Sequence, residues 1–348
     1  MRLVFAQLAL LSVLVPASVS AAPSRLSEQA SREDILGWIN NYRHKPEPDR
    51  MPTAVRALSR LGLLTDSETA GVYAGFVAGV LGANPERADV LVARMFPLRP
   101  EHQWLVVRAI AYSGLKDWQK LLARHAERMP SRRAMIDKFT AGKLPTLDQA
   151  PIEKDETWGE KVRGQLPLAK YFAKPKTDVA LDLSPDLLDT LWGHYYATGH
   201  YRPLSRIILM TRWHKERDVL EKLTLGSVSK YTLAINASRN ADLLATLKWA
   251  STQQQPEGVQ AALKDAIEAA ETLETGKLRA EANASIEEFK RKGPGIRRDI
   301  SLWGQVGEGA LALGCIAAAI TAQVEFALPC VIGGAATSAA LRMWDSQK

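Results

Sequence analysis

From Ser31 onward apolar residues recur at helical spacing in short runs closed by proline or glycine, and no stretch alternates apolar and polar residue by residue. A half-buried strand needs that alternation, so no strand is expected. The pattern predicts an all-α chain of stacked antiparallel helix pairs, solenoid-like in arrangement. Ser31 reads as a helix cap with Glu33 and Asp34 in the first turn, where the helix dipole favours negative charge. Ile35, Trp38, Ile39 and Tyr42 make its apolar stripe, and Pro46 and Pro48 end it.

Further helices are expected over 52–61, 67–81, 84–96, 101–113, 116–128 and 132–139. In the run 67–81, Gly71, Ala74, Gly75, Ala78 and Gly79 would let a neighbouring backbone approach closely. Regular spacing lapses from 141 to 183, where Pro145, Pro151, Pro167 and Pro175 interrupt the chain; a stretch this long reads as a linker or insertion. The expected division is a helical domain at 22–140, the irregular segment 141–183, and a second helical domain at 184–293. Ser184-Pro185-Asp186 restarts the helices, with segments at 186–198, 201–213, 215–223, 228–237 and 242–250. A long helix from Glu257 to Lys292 follows, opened by Pro256 and closed by Gly293-Pro294. Its span would be about 54 Å.

Residues 294–348 form an apolar tail, densest from Gly309 to Leu341, which holds both cysteines, Cys315 and Cys330. Glu325 divides it into two segments, each short for a membrane span. The strong apolar residues of the first segment supply about −1.5 to −3 kcal/mol of insertion energy, and a mid-bilayer glutamate costs about as much. A helical hairpin is therefore expected, with Glu325–Leu328 as its turn and Pro329 opening its second helix. The alternative is a membrane anchor. In a straight hairpin the two thiols lie about 12 Å out of register along the helices, whereas an exported compartment favours pairing them, so a Cys315–Cys330 disulfide stays open. Lys290, Arg291, Lys292, Arg297 and Arg298 before the tail read either as a solvated helix end or as an anionic-lipid contact.

At the other end, Arg2, the apolar run Leu3–Val15 and the small residues of Ala17–Ala21 have the form of a secretory signal, cleaved between Ala21 and Ala22. The chain has 348 residues and a formal net charge of +7. This mild excess is spread over helices of mixed sign, and an exported chain of this kind is no nucleic-acid binder. Partners of the exported space fit instead: a protein or peptide, anionic lipid, or a cell-wall polymer.

Two segments are alike: Ala111-Tyr112-Ser113-Gly114 before Trp118, Leu121 and Leu122, and Tyr196-Ala197-Thr198-Gly199 before Tyr201, Leu204, Ile207 and Ile208. Each is a helix end, a glycine turn and an aromatic-aliphatic second helix. They resemble the helix-turn-helix unit of the tetratricopeptide and related α-helical repeat families. Gly114 and Gly199 do not fall in register with the family's period of roughly 34 residues, so the resemblance implies paired stacked helices and a protein- or peptide-binding scaffold, and carries over no binding residues.

No zinc-protease, P-loop or nucleophile-elbow signature occurs, and the six histidines never take metal-ligand spacing. No catalytic, cofactor or metal residue is therefore assigned. Ser227-Val-Ser-Lys230 matches the Ser-x-x-Lys element of penicillin-binding enzymes, and Ser238-Arg-Asn240 resembles their second motif, but no Lys-Thr-Gly strand accompanies them, so the match reads as chance. The aromatic cluster Trp192, Tyr195, Tyr196, Tyr201 and Trp213 is either core or the wall of a binding groove. A glycan-acting enzyme would need an acid beside it, for which Asp189 and Glu216 are the nearest in sequence.

Overall fold

The computed structural model describes residues 27–67, 69–150, 152 and 179–272, with 280, 281, 284, 285, 288 and 291 beyond them. The signal with its Ala21/Ala22 junction, the tail with Cys315 and Cys330, and Lys290, Lys292, Arg297 and Arg298 lie outside the described residues, as does most of the irregular segment. Arg291 is helical and exposed.

The chain is all-α, and there is no strand among the described residues. The first half holds α1 (Arg32–Asn41), α2 (Met51–Arg60), α3 (Gly71–Ala83), α4 (Ala88–Met95), α5 (Trp104–Tyr112), α6 (Trp118–His125) and α7 (Arg133–Thr140). The second holds α8 (Pro185–Thr198), α9 (Tyr201–Met210), α10 (Leu220–Ala237), α11 (Ala241–Thr252) and α12 (Glu257–Thr272). The expected Glu257–Lys292 helix is seen as α12, and residues 280, 281, 284, 285, 288 and 291 are helical as well.

Local chemistry sets the helix ends. Ser31 Oγ accepts from the Asp34 amide at 3.1 Å, while the Asp34 carboxylate accepts from the Ser31 amide at 3.0 Å, a reciprocal capping box. Ser184 caps α8 through the Leu187 amide, with Pro185 in the first turn. Asn84 makes no side-chain cap; its side-chain amide donates back to Val80 O at 2.8 Å.

The centre of the fold is α3, which is buried from Gly71 to Leu81 and so has no solvent face. Its small residues line a seam against α8. A Cβ added at Gly71 would strike the backbone of Asp186, one at Gly75 the backbone of Thr190, and one at Gly79 would come within 2.6 Å of Ala197 Cβ. Across the seam, a Cβ at Gly193 would strike Val72 O and the Phe76 amide, so the two backbones are nearly in contact. Gly82 faces Ser113 O at the end of α5 in the same way.

This seam corrects the expected division into two domains. A single hydrophobic core runs from Ala30 to Ala270 through both halves, and the segment 141–183 is a connection between halves that share it. Polar bonds follow the same route. Arg108 of α5 reaches Asp186 at the start of α8 at 2.5 Å, with both side chains mostly buried, and Arg43 donates to Tyr195 OH at 2.9 Å.

A second correction concerns 215–237, read as two short helices. Residues 220–237 form the one 18-residue helix α10. Gly226 lies inside it because a Cβ there would strike the backbone of Trp213 and His214. That glycine marks a close approach, and the helix continues through it.

The seam makes a direct prediction. Gly75→Ala is expected to destabilise the protein by about 1–3 kcal/mol, the usual range for overpacking. Gly258→Ala, whose new Cβ would meet nothing nearer than 3.5 Å, is expected to be neutral or to stabilise α12 by up to about 1 kcal/mol. Urea unfolding of the two variants reads the difference, and equal midpoints would refute the close approach.

Candidate functional site

The aromatic cluster is core. Trp192, Tyr195, Tyr196 and Trp213 are all buried, and only Tyr201 is half-buried. Their polar atoms point inward: Trp192 Nε1 donates to Thr232 Oγ1 at 3.1 Å and Tyr196 OH to Asn236 Oδ1 at 2.8 Å. Rings packed and bonded in this way cannot line a groove, so the groove expectation is corrected for these four residues. Tyr201 instead meets the exposed Trp249 edge-on, with ring centroids 5.3 Å apart.

The two acids beside the cluster are committed elsewhere. Asp189 is buried on α8, out of reach of any sugar. Glu216 accepts from the backbone amides of Arg217 and Asp218 at 2.9 and 3.1 Å. The histidines are dispersed, and among the described residues no group of His, Cys, Asp and Glu could hold a metal ion. His125 Nε2 pairs with Asp89 at 2.9 Å. The fully buried His102 sits between Ser59 Oγ at 2.8 Å and Thr65 Oγ1 at 3.3 Å, a closed hydroxyl-imidazole chain.

Two cavities collect side chains with unspent hydrogen-bonding capacity. The smaller, of about 160 Å³, closes one end of the α3–α8 seam. The two look-alike glycine turns meet there: Ser113 and Gly114 line it from one side, Thr198 and His200 from the other. Gly114 and Gly199 have φ of +72° and +64°, left-handed values that suit glycine at helix ends. Arg202 pairs with Asp148 Oδ1 at 3.2 Å and donates to Asp148 O, and Arg206 donates to Leu147 O and Ala150 O. These guanidinium groups strap the loop 146–150 over the seam. Burial pushes the His194 imidazole in its wall down to about 4. This cavity is small, and its cations are occupied by its own walls.

The larger, of about 340 Å³, lies between α10, α12 and the turn after α9. The approach at Gly226 sets the His214 backbone directly on α10. His214 Nδ1 lies 2.8 Å from Thr211 O, which fixes it as the donor and leaves the buried Nε2 as an acceptor with no partner among the described residues. Burial lowers the pKa of this imidazole, and the Lys230 and Lys215 charges act in the same direction, so the neutral form is favoured. Ser227 and Lys230, one turn apart on α10, face the same space. The Lys230 ammonium, buried at 8% exposure, donates to Asp265 Oδ2 of α12 at 2.5 Å and lies 4.0 Å from Glu281. Lys215, Arg217, Asp265 and Glu281 line the same cavity and are exposed.

Comparison with family models, curated proteins and solved structures finds no match. The site therefore stands on its own geometry.

Of the Ser-x-x-Lys and Ser-Arg-Asn pair, only the first reaches the cavity. Ser238 bonds back to Ile235 O and Asn240 caps α11 through the Leu243 amide. Among the described residues, no hydrogen bond joins Ser227 to Lys230 or His214. Sequence reasoning missed Asp265 and His214 as their companions. One signal was present: Lys230 interrupts the apolar-rich run Leu223–Ala237, where a charge is buried only with a partner.

Asp189 generates a pH prediction. Burial raises its carboxyl well above the ordinary value, and the nearby Asp186 adds to the shift. The folded state then holds the proton more tightly than the unfolded chain. The resulting stability is complete below the unfolded value of about 3.9 and is lost as pH rises towards the folded value. Asp189→Asn removes that loss. Its Tm is expected to exceed the wild type's increasingly between pH 4 and pH 8; a gap that shrinks with pH would contradict the buried neutral acid.

Proposed function

We propose that this protein is an exported, non-enzymatic helical scaffold that binds a peptide or peptide-like ligand in the cavity between α10 and α12. The observation that carries the reading is the cavity of about 340 Å³ that gathers His214, Ser227 and the Lys230–Asp265 pair in its lining. A cavity of this size lined by a few convergent polar groups is the usual form of a ligand site. The same geometry speaks against acyl transfer: Lys230 donates to Asp265, and among the described residues Ser227 has no hydrogen bond to a base that could activate it.

Export rests on the N-terminal signal, and the scaffold reading on the stacked helices and the two glycine-turn units that resemble helical repeats. Intact mass of the mature protein is expected to correspond to a start at Ala22; a retained N-terminus would remove the export part of the reading.

The cavity is tested by calorimetric titration of a short-peptide library against the wild type and Lys230→Met. Asp265 keeps 48% of its side chain exposed, so solvent takes over its charge when the lysine is lost. The variant is expected to keep the wild-type circular dichroism and to bind at least about tenfold more weakly, roughly 1.4 kcal/mol. Unchanged affinity, or turnover of the peptide by the wild type, overturns the proposal.

A further inference from the structure

The turn that walls the larger cavity is tied together by an imidazole. Thr211 O accepts twice, from the His214 amide at 3.0 Å and from His214 Nδ1 at 2.8 Å, so the ring is folded back onto the 3-10 turn Thr211–Trp213. The backbone of Trp213 and His214 then lies directly on Gly226 of α10.

This packing accommodates the neutral imidazole only. With Nδ1 donating, Nε2 is a bare acceptor, buried and without a partner among the described residues. Protonation would place an N–H there, and a charged donor buried without an acceptor is among the costliest groups a fold can hold. The surrounding charges add to that cost. The cavity lining carries Lys215 and Arg217 on the ring's own turn, Lys230 on α10, Asp265 on α12 and Glu281 beyond it, three cations against two carboxylates. Asp265 already accepts from the Lys230 ammonium at 2.5 Å, and Glu281 lies 4.0 Å from the same ammonium. Arg212 and Lys222 stand over the Trp213 ring.

Burial is the largest cause of the lowered His214 pKa; the bond to Thr211 O opposes it, and the Lys230 and Lys215 charges reinforce it. In an open turn the ring would regain the ordinary value of about 6.5. The open form therefore binds more protons than the closed one. Closure is complete above about pH 6.5 and loses stability as pH falls towards the lowered value.

Resting on the binding reading above, we infer that His214 is an acid-sensitive latch on the cavity: neutral, it holds the turn 211–217 against α10, and protonated, it leaves its buried place and the wall opens. A ligand held at neutral pH is then released on acidification.

The test is hydrogen exchange of the full chain, read by mass spectrometry at pH 7.5 and pH 5.0, with His214→Asn as the reference. Asparagine places a donor that does not titrate where Nδ1 stands, so Thr211 O keeps its bond. Comparing the two proteins at one pH cancels the intrinsic pH dependence of exchange and the acid response of His102, His125 and His194, which both share. Protection of 211–217 is expected to be equal at pH 7.5. At pH 5.0 the wild type is expected to exchange there at least about fivefold faster than the variant, with α3 alike in the two. Equal exchange of 211–217 at pH 5.0, or a difference spread evenly over α3, overturns the latch. If the variant loses its circular dichroism, nuclear magnetic resonance of the wild-type histidine rings decides. A His214 signal that titrates below the ordinary value together with loss of protection at 211–217 supports the latch, and titration at the ordinary value or without that loss overturns it. Peptides bound at pH 7.5 are expected to bind the wild type at least fivefold more weakly at pH 5.0, and the variant equally at both. Acid opening with no peptide bound at either pH keeps the latch and removes the binding reading; peptide binding without acid opening does the reverse.

Discussion

The fold depends on the backbone contact between α3 and α8. Glycine in a helix interior costs about 1 kcal/mol against alanine, and α3 carries it at Gly71, Gly75, Gly79 and Gly82. That cost is offset only where the missing side chains admit another backbone. The carbonyls of Thr190 and Ser113 occupy the spaces where side chains at Gly75 and Gly82 would stand. The seam therefore fixes α8 in rotation as well as position, because a turn of either helix would bring a larger residue into the gap. It is also formed by segments more than a hundred residues apart in sequence, which makes one body of two helical halves.

From α8 the constraint passes to the cavity. Trp192 and Tyr196, one turn apart on α8, donate to Thr232 and Asn236, one turn apart on α10. Matching spacings on both helices fix their register like two rungs. Lys230 stands on α10 next to the first rung, and its ion pair with Asp265 carries the register to α12. The rings of Trp192 and Tyr196 frame the site and do not line the cavity.

The all-α class was legible because helical spacing and proline-glycine punctuation are local properties. Ser31 was legible as a cap, and Ser184-Pro185-Asp186 as a helix start, for the same reason. The small-residue face of α3 could be seen, but not its partner, since nothing local pairs Gly75 with Thr190. The domain boundary failed on that point: the composition of 141–183 is that of a linker, and only the seam shows that the halves on either side share a core. Gly226 failed similarly, because a glycine that breaks a helix and one that admits a backbone look identical in sequence. The cavity was least legible. His214, Lys230 and Asp265 come from three separate elements, and their meeting depends on the register of α8, α10 and α12.

Ser227 and Lys230 show why spacing alone could not assign chemistry. On any helix the two residues share a face, so the motif is satisfied by geometry that says nothing about reactivity. The third group decides. In a serine-lysine enzyme the lysine must turn to the serine as a base; here it turns to Asp265, and the nearest imidazole directs its donor at Thr211 O. What the cavity shows is a lysine committed to a carboxylate of α12 and, one turn away, a serine that no hydrogen bond joins to a base among the described residues.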